Sequence, residues 1–352
     1  MQPCQKDSRS FFEKLQNAEG LDLRDNRGKR HTLAIVLVGV TLALLSNRDG
    51  CLSSIERHLE HHYVKLMTHL DLEIKSPISR AQLPRVLEKV AVEIFDKLVF
   101  GHFGVHLNEK EKQWFAVDGK ELRGSIEAGE KRGEAIVQAV AHESQQTVAQ
   151  GYYAGNKESE VPAVRRLLAQ NGLAGKKISL DALHCKPKTL ELIVASGGRY
   201  LVGLKENQKE LKKQVSEAIG GQAMLFEHET LAKEHGRLEL REYEFYDLLE
   251  MKKDERWTGL EIRTAIKVKR ASEELRSGKS RSQESNYLSN EVGNYEEIAA
   301  AIRQHWSVET NNHLRDVSLR EDQMRSKKKT ATHHGRNQKF GYNNFAENKL
   351  SE

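Results

Sequence analysis

Only three cysteines, Cys4, Cys51 and Cys185, occur in 352 residues, and none stands in a CxxC pair. That excludes a disulfide framework and a clustered thiolate zinc site, and it fits a reducing cytosol. A membrane-length apolar run is missing too. The longest, Leu33–Leu45 (LAIVLVGVTLALL), has 13 residues, where a bilayer needs about 20. It follows a charged stretch, which argues against a cleavable signal peptide, so a buried helix is expected. Internal repeats are absent. A large charge excess is also lacking: 56 basic residues against 51 acidic ones leave +5, too little to single out a nucleic-acid binder.

The distribution of charge says more. Basic residues cluster at Arg24–Arg30, Lys186–Lys188, Lys205–Lys213 and Arg320–Arg336. The length allows two or three domains with a real core. Residues 1–105 read as helical, with apolar residues at three- and four-residue spacing in Ser10–Leu15, Leu33–Leu45, Leu52–His69 and Ala81–Val99. Two readings fit this part: a helical bundle with a solvated basic turn at Arg24–His31, or a module that binds DNA ends.

From Gln113 the pattern changes to short apolar strands. Trp114–Val117 ends at Asp118-Gly119, Glu134–His142 and Gln146–Tyr153 alternate, and Lys177–Leu180 ends at Asp181. Helices are expected at Val161–Gln170, Lys188–Ala195 and Gln208–Ile219, with a strand at Tyr200–Leu204 between the last two. Three strands followed by helix, strand, helix, strand, helix predict an α/β core over residues 106–219 with a mixed sheet. Residues 220–294 break that rhythm and read as a β-rich insertion. In it Arg237–Leu248 and Leu260–Arg270 are strands and Ala271–Ser285 is a polar loop. A helix then starts near Asn294–Tyr295 and runs toward Asp316, returning the chain to the core over residues 295–325. The basic segment 326–352 has almost no aliphatic residues and is expected to be disordered.

Asp118 and Asp181 occupy equivalent places, each ending a short strand, where α/β sheets present functional groups. Acids gathered there are held together by divalent cations in enzymes that attack phosphodiesters in line, and Mg²⁺ suits an all-oxygen site. The plain alternative for Asp118-Gly119 is a turn. Lys120 and Arg123 follow Asp118 closely, as expected where an anionic backbone approaches. Lys205, Asn207 and Gln208 follow the next strand and are candidate contacts to phosphates or base edges. On the last helix His305, Glu309, His313 and Asp316 share one face. Glu309 there is either a third carboxylate or half of an ordinary surface Glu–His pair. The His-x₃-Glu-x₃-His spacing is not that of a zinc protease helix.

Four blocks, Ala116–Ser125 (AVDGKELRGS), Ile178–Lys188 (ISLDALHCKPK), Tyr200–Gln208 (YLVGLKENQ) and Ile302–Arg325 (IRQHWSVETNNHLRDVSLREDQMR), resemble the insertion-sequence transposases of the H-repeat-associated group, which are DDE transposases. Weaker likeness covers Lys157–Pro162, His235–Glu239, Tyr287–Ser289 and the span from Arg24 to Val90. The resemblance implies a ribonuclease-H-like core, with a β-rich insertion before the last catalytic helix and a helical N-terminal domain. It matches Asp118, Asp181 and Glu309 to the family's catalytic, metal-holding acids. It further implies two Mg²⁺ ions, with Mn²⁺ able to substitute. The implied partners are double-stranded DNA, as terminal inverted repeats and target, and a second copy of the chain on that DNA. The implied setting is cytoplasmic and nucleoid-associated, away from membranes. Relatives carry a Tyr, an Arg and a Lys around the glutamate. The matching places here hold Ile302, His305 and Asp316, so Arg303, His305 and Arg315 are the DNA contacts expected from this helix. The family continues into apolar C-terminal helices, which Lys327–Glu352 cannot form; this resembles a frame-shifted or degraded end. The alternatives are therefore an inactive remnant that only binds DNA, and a metal-dependent nuclease.

Overall fold

The computed structural model describes residues 9–46, 52–103, 107, 112–126, 129, 131–155, 157–170, 172–234, 236–306, 308–310 and 312–313. The segment 326–352 and the candidate contact Arg315 lie outside them.

The N-terminal part is helical, as its periodicity predicts. It contains α1 (Phe11–Gln16), α2 (Leu33–Ser46), α3 (Leu52–His69), α4 (Leu83–Leu87) and α5 (Val92–Phe103). Ser10 caps α1 through a reciprocal bond with Glu13, which satisfies otherwise orphaned amides. The apolar α2 is buried on nearly every side, with Leu37, Val40 and Ala43 in a core shared with Ile55, Leu83 and Phe95. Among the described residues no helix is long and apolar enough to cross a membrane. The expected single helix over Ala81–Val99 is broken in two. Around Val90 the backbone is extended because it pairs with residues 21–23: Leu23 N–H donates to Lys89 O (2.9 Å) and Ala91 N–H to Leu21 O (2.9 Å).

The rest is built on one mixed sheet. Its strands are β1 (Trp114–Glu121), β2 (Glu134–Ala141), β3 (Thr147–Ala154), β4 (Lys177–Leu180), β5 (Arg199–Leu204), β6 (Phe226–Glu234), β7 (Arg237–Asp247), β8 (Thr264–Glu274) and β9 (Ser280–Ser289). They lie in the order β3-β2-β1-β4-β5-β9-β8-β7-β6. β1, β4 and β5 are parallel neighbours, and every other pairing is antiparallel. This is the ribonuclease-H-like sheet that the resemblance implies.

Helices cover both faces. α6 (Glu160–Gln170), α7 (Pro187–Ala195) and α8 (Lys209–Ile219) pack Val164, Leu190 and Leu211 against Phe115, Val117, Ile178 and Val202. On the other face α9 (Tyr295–Gln304) packs Ile298, Ala299 and Ala301 against Trp114, Leu201, Phe245 and Ile266. Lys177 ties this helix to β4, donating to Glu297 Oε1 (2.6 Å) beneath the Trp114 ring.

Two sequence expectations change here. The stretch Ala271–Ser285 is not a loop, since β8 and β9 run through it, paired from Thr264↔Ser289 to Glu273↔Ser280. Its polar composition misleads because the hairpin's outer part is solvated. Cross-strand ion pairs, Lys269–Glu244 and Arg270–Glu239, stand in for apolar contacts. The strand-rich segment also continues the central sheet, because β9 pairs with β5. At that junction Asn290 accepts from Tyr200 N–H (2.7 Å), and Ser289 Oγ donates to Tyr200 O (2.7 Å).

Candidate active site

β1 does not stop at Asp118. Pairing with β2 carries it on from Asp118↔Gln138 to Glu121↔Ala135, so Asp118-Gly119 is strand rather than turn. Side chains alternate across the sheet. Phe115 and Val117 enter the core under α6, while Ala116 faces Val308 on the opposite side. Asp118 follows on the Ala116 side, and Gly119 on the α6 side.

Asp181 lies next door. It follows β4, the parallel neighbour of β1, and caps the short turn Ala182–His184 by accepting from Leu183 N–H (2.9 Å). Two amides brace that turn from behind: Asn207 donates to Ala182 O (2.6 Å) and Gln208 to Cys185 O (2.9 Å). Gly203 in β5 lets this turn pack close, since a Cβ there would come within 3.1 Å of Ala182 N.

A third carboxylate joins them that sequence reasoning passed over. Glu160, the first residue of α6, accepts from His184 Nε2 (2.8 Å), and the same nitrogen lies 3.8 Å from Asp181 Oδ1. The imidazole is fully buried. Burial, and then the charge of Glu160, push the Asp118 carboxyl up from its ordinary 3.8 to about 7; Asp181 adds to the rise, and the Gly119 amide and His184 oppose it. Tyr153 stands beside the acids, its phenol pushed up to about 12 by burial and by Glu160. It is therefore a neutral hydroxyl at physiological pH.

The helical turn after α9 lies over Asp118. Asn312 is the residue that reaches it: Asn312 Nδ2 is 3.4 Å from Asp118 Oδ2, and its Oδ1 accepts from Gln138 Nε2 (2.6 Å). Glu309, one turn earlier, is exposed and takes a hydrogen bond from the Trp306 indole. The expected third acid is thus on the helical turn that reaches Asp118 but is itself turned to solvent. Behind it His305 Nδ1 meets Ser179 Oγ (2.9 Å), which meets His142 Nε2 (3.0 Å). This chain joins the helix to β4 and to the end of β2. Burial presses His142 down to about 3 and His305 to about 4, so both are neutral links.

The candidate DNA contacts are spread more widely. Lys120 is buried, Arg123 and Lys205 are exposed, and Arg303 is partly buried near the end of α9. Asn207 and Gln208 use their amides on the Asp181 turn, and His305 uses its ring on Ser179.

Could these residues hold a metal? The donors are carboxylate oxygens, which suit a hard cation such as Mg²⁺. Burial, and then neighbouring negative charge, hold the Asp118 carboxyl high, a condition that a bound cation reverses. Among the described residues no set of three His, Cys, Asp or Glu side chains is spaced to enclose an ion. An open site of that kind suits Mg²⁺, which typically takes one or two carboxylates and completes its shell with water and substrate phosphate.

Glu160, His184, Tyr153 and Asn312 are the neighbours that sequence reading missed. The one available signal was the Lys157–Pro162 block, which resembles the family without declaring a role for its glutamate.

Two neighbouring parallel strands, β1 and β4, bring Asp118 and Asp181 side by side in a mixed sheet of ribonuclease-H-like fold. Residues 109–336 match the family described as transposase DDE domain, and the chain belongs to that family. It is 27% identical over 324 residues to the H repeat-associated putative transposase YhhI of Escherichia coli K12, covering 88% of this chain and 83% of the relative. It is 28% identical over 325 residues to the putative protein YbfL of the same organism, with the same coverage. A third relative, the H repeat-associated putative transposase YbfD, is 28% identical over 225 residues, 62% of this chain and 88% of the relative. The family implies a DNA substrate and a divalent metal.

Proposed function

We propose that this protein is an active transposase that cuts transposon ends and joins them to target DNA by in-line phosphoryl transfer. The observation that carries this reading is the placement of Asp118, within β1, beside Asp181, the residue after the parallel strand β4, inside the matched domain. Asp118 and Asp181, with Glu309 as the further carboxylate, would hold the cations, two Mg²⁺ ions or Mn²⁺ in their place. When bound, the cations stabilise charge on the attacking and leaving oxygens.

Each chemical step forms one phosphorus–oxygen bond and breaks one. In cleavage a water oxygen attacks phosphorus, its proton passes to solvent, and the 3′ oxygen leaves and is protonated. In joining, that 3′-OH attacks a target phosphorus and a target 3′ oxygen leaves. The chain's own residues position these groups. The Asp181 turn is fixed by Asn207 and Gln208, and the helix bearing Glu309 is fixed by the His142–Ser179–His305 chain and by Lys177–Glu297. Lys120, Arg123, Lys205 and Arg303 supply positive charge toward the DNA backbone. Bringing two transposon ends together requires a second copy of the chain on the DNA.

A salt titration of binding to duplex ends, run beside a cleavage assay, tests this. The expected result is binding that weakens steeply with salt together with Mg²⁺-dependent nicking. Binding without nicking identifies a DNA-binding remnant, and nicking with no preference for terminal repeats identifies a nuclease.

A further inference from the structure

One edge of the sheet ends on β6 (Phe226–Glu234), and among the described residues the one strand partner of β6 is β7. It pairs along its whole length without a register break and holds neither proline nor glycine. Bulges and prolines are devices that ordinarily blunt an edge against further pairing. Charge is another, and β6 carries charge, so the arrangement of those charges decides what the edge can do. Side chains alternate along a strand. Glu227, Glu229, Leu231 and Lys233 share one face and are exposed. Phe226, His228, Thr230 and Ala232 share the other and are partly buried, with Phe226 stacked on Tyr295 of α9.

Two patterns on the exposed face run up to this edge and stop. The first is an apolar row. Leu231 is opposite Leu240 of β7, and Leu240 is opposite Ala271 of β8. Leu231, at the outer end of the row, is 65% exposed. The second pattern is charge. Glu229 is opposite Glu242, a like-charge pair, which is unfavourable across a ladder. The cation opposite Glu242 on its other side, Lys269, is engaged by Glu244. Lys233 is opposite Leu238 and so has no acid directly across from it. The outer side of β6 therefore calls for an apolar group beside Leu231, a cation beside Glu229 and an anion beside Lys233.

We propose that β6 is the docking edge for a second copy of this chain, whose own β6 pairs with it antiparallel about a two-fold axis at Leu231. In that register the two Leu231 side chains meet, and each Glu229 comes opposite Lys233 of the other copy. The apolar row then runs unbroken from one sheet into the next, and both charge deficits are met. On the other face Thr230 comes opposite Ala232. The same patch serves both copies, as a closed dimer requires, and main-chain hydrogen bonds between the edges supply affinity, as in strand addition. Parallel in-register pairing would instead set Glu227, Glu229 and Lys233 each against its own like, so charge selects the antiparallel arrangement. β6 is six strand positions from β1, about 29 Å at the ordinary strand spacing, so pairing there leaves the Asp118 side of the sheet uncovered. The inference goes beyond the transposase reading and does not rest on its chemistry.

The test is the association state of the full chain without DNA, read by sedimentation equilibrium at low salt over a micromolar concentration series. Wild type is compared with Glu229→Lys, with Lys233→Glu and with the double variant that carries both changes. Wild type should dimerise. Either single reversal turns two cross-strand attractions into repulsions and should weaken the dimer by about 10–30-fold. The double variant sets opposite charges against each other again and should return the affinity to near the wild-type value. Glu229→Lys also removes the like-charge pair with Glu242, so loss of folding does not account for its effect, and circular dichroism checks this for every variant. Leu231→Cys, in a background with Cys4→Ser and Cys51→Ser, should cross-link to itself under mild oxidation, because directly opposite residues lie about 4.5–5.5 Å apart between Cα atoms. A monomeric wild type, single reversals that associate as wild type does, a loss that the double variant fails to restore, or no cross-link at Leu231→Cys beyond the background each overturns the inference. Cleavage of repeat ends is measured separately on the same proteins, and a monomer that cleaves overturns the inference while leaving the transposase reading intact.

Discussion

Replacing Asp118 by Asn should stabilise the metal-free protein, and by more as the pH rises toward neutrality. Burial and Glu160 push this carboxyl from 3.8 to about 7. Between those values the folded chain keeps a proton that the unfolded chain gives up, so stability falls as pH rises and the loss is complete above about pH 7. At about 1.4 kcal/mol per pH unit the full cost is about 4 kcal/mol. Asp118 is partly exposed, and water shares that cost, which lowers the expected gain to about 2–4 kcal/mol. Near pH 5 only about a third of it applies. Asparagine keeps the shape and retains an acceptor for Asn312. Urea midpoints in EDTA at about pH 5 and about pH 8.5 measure the difference between variant and wild type. His142 and His305 work the other way. Held neutral down to about 3 and about 4, they remove stability as pH falls below 6.5. Both proteins carry them, so their effect cancels in the difference. A variant less stable than wild type at the higher pH, or a gain that does not grow with pH, refutes the reasoning.

Other consequences follow from the same contacts. Mg²⁺ should raise the melting temperature of wild type at about pH 8.5 and leave that of Asp118→Asn unmoved, because the cation offsets a charge the variant lacks; scanning calorimetry with and without EDTA reads this. Ser179→Ala removes the link between His142 and His305 and should cost about 1–3 kcal/mol in chemical denaturation, since it strands two ring nitrogens. Asn207→Ala should cost about 1 kcal/mol and reduce cleavage more than DNA affinity, because it loosens the Asp181 turn; paired cleavage and binding assays separate the two. Lys205→Ala should weaken DNA binding alike across sequences and lower the salt slope by about one, as measured by fluorescence anisotropy at several salt concentrations.

Much of the core was legible because its signals are local. The short strand Lys177–Leu180 sends Ile178 and Leu180 into the core, and the aspartate after it stands out by contrast. The outer part of the hairpin β8–β9, Ala271–Ser285, was illegible for the opposite reason. Its strands satisfy their backbones with each other and hold polar, mostly exposed side chains, so no apolar alternation marks them. Asp118-Gly119 looked like a turn because that dipeptide usually is one. Only the pairing with β2 shows that the strand continues. Glu160 and Asp118 are 42 positions apart, and nothing in either segment alone connects them. Glu309 was marked by resemblance and by a shared helical face. That face also carries Asn312 nearby, which makes the contact with Asp118 in this DNA-free chain.

Cleavage of a duplex carrying the element's terminal inverted repeats, by wild type, Asp118→Asn and Asp181→Asn in Mg²⁺, Mn²⁺ and EDTA, tests the central claim most directly. The account predicts nicking at the repeat ends by wild type in either metal and none in EDTA. It predicts cleavage lost by a factor of at least about a thousand in both variants, each still folded and still bound to DNA. Undiminished cleavage by either variant, or cleavage by wild type in EDTA, would contradict it.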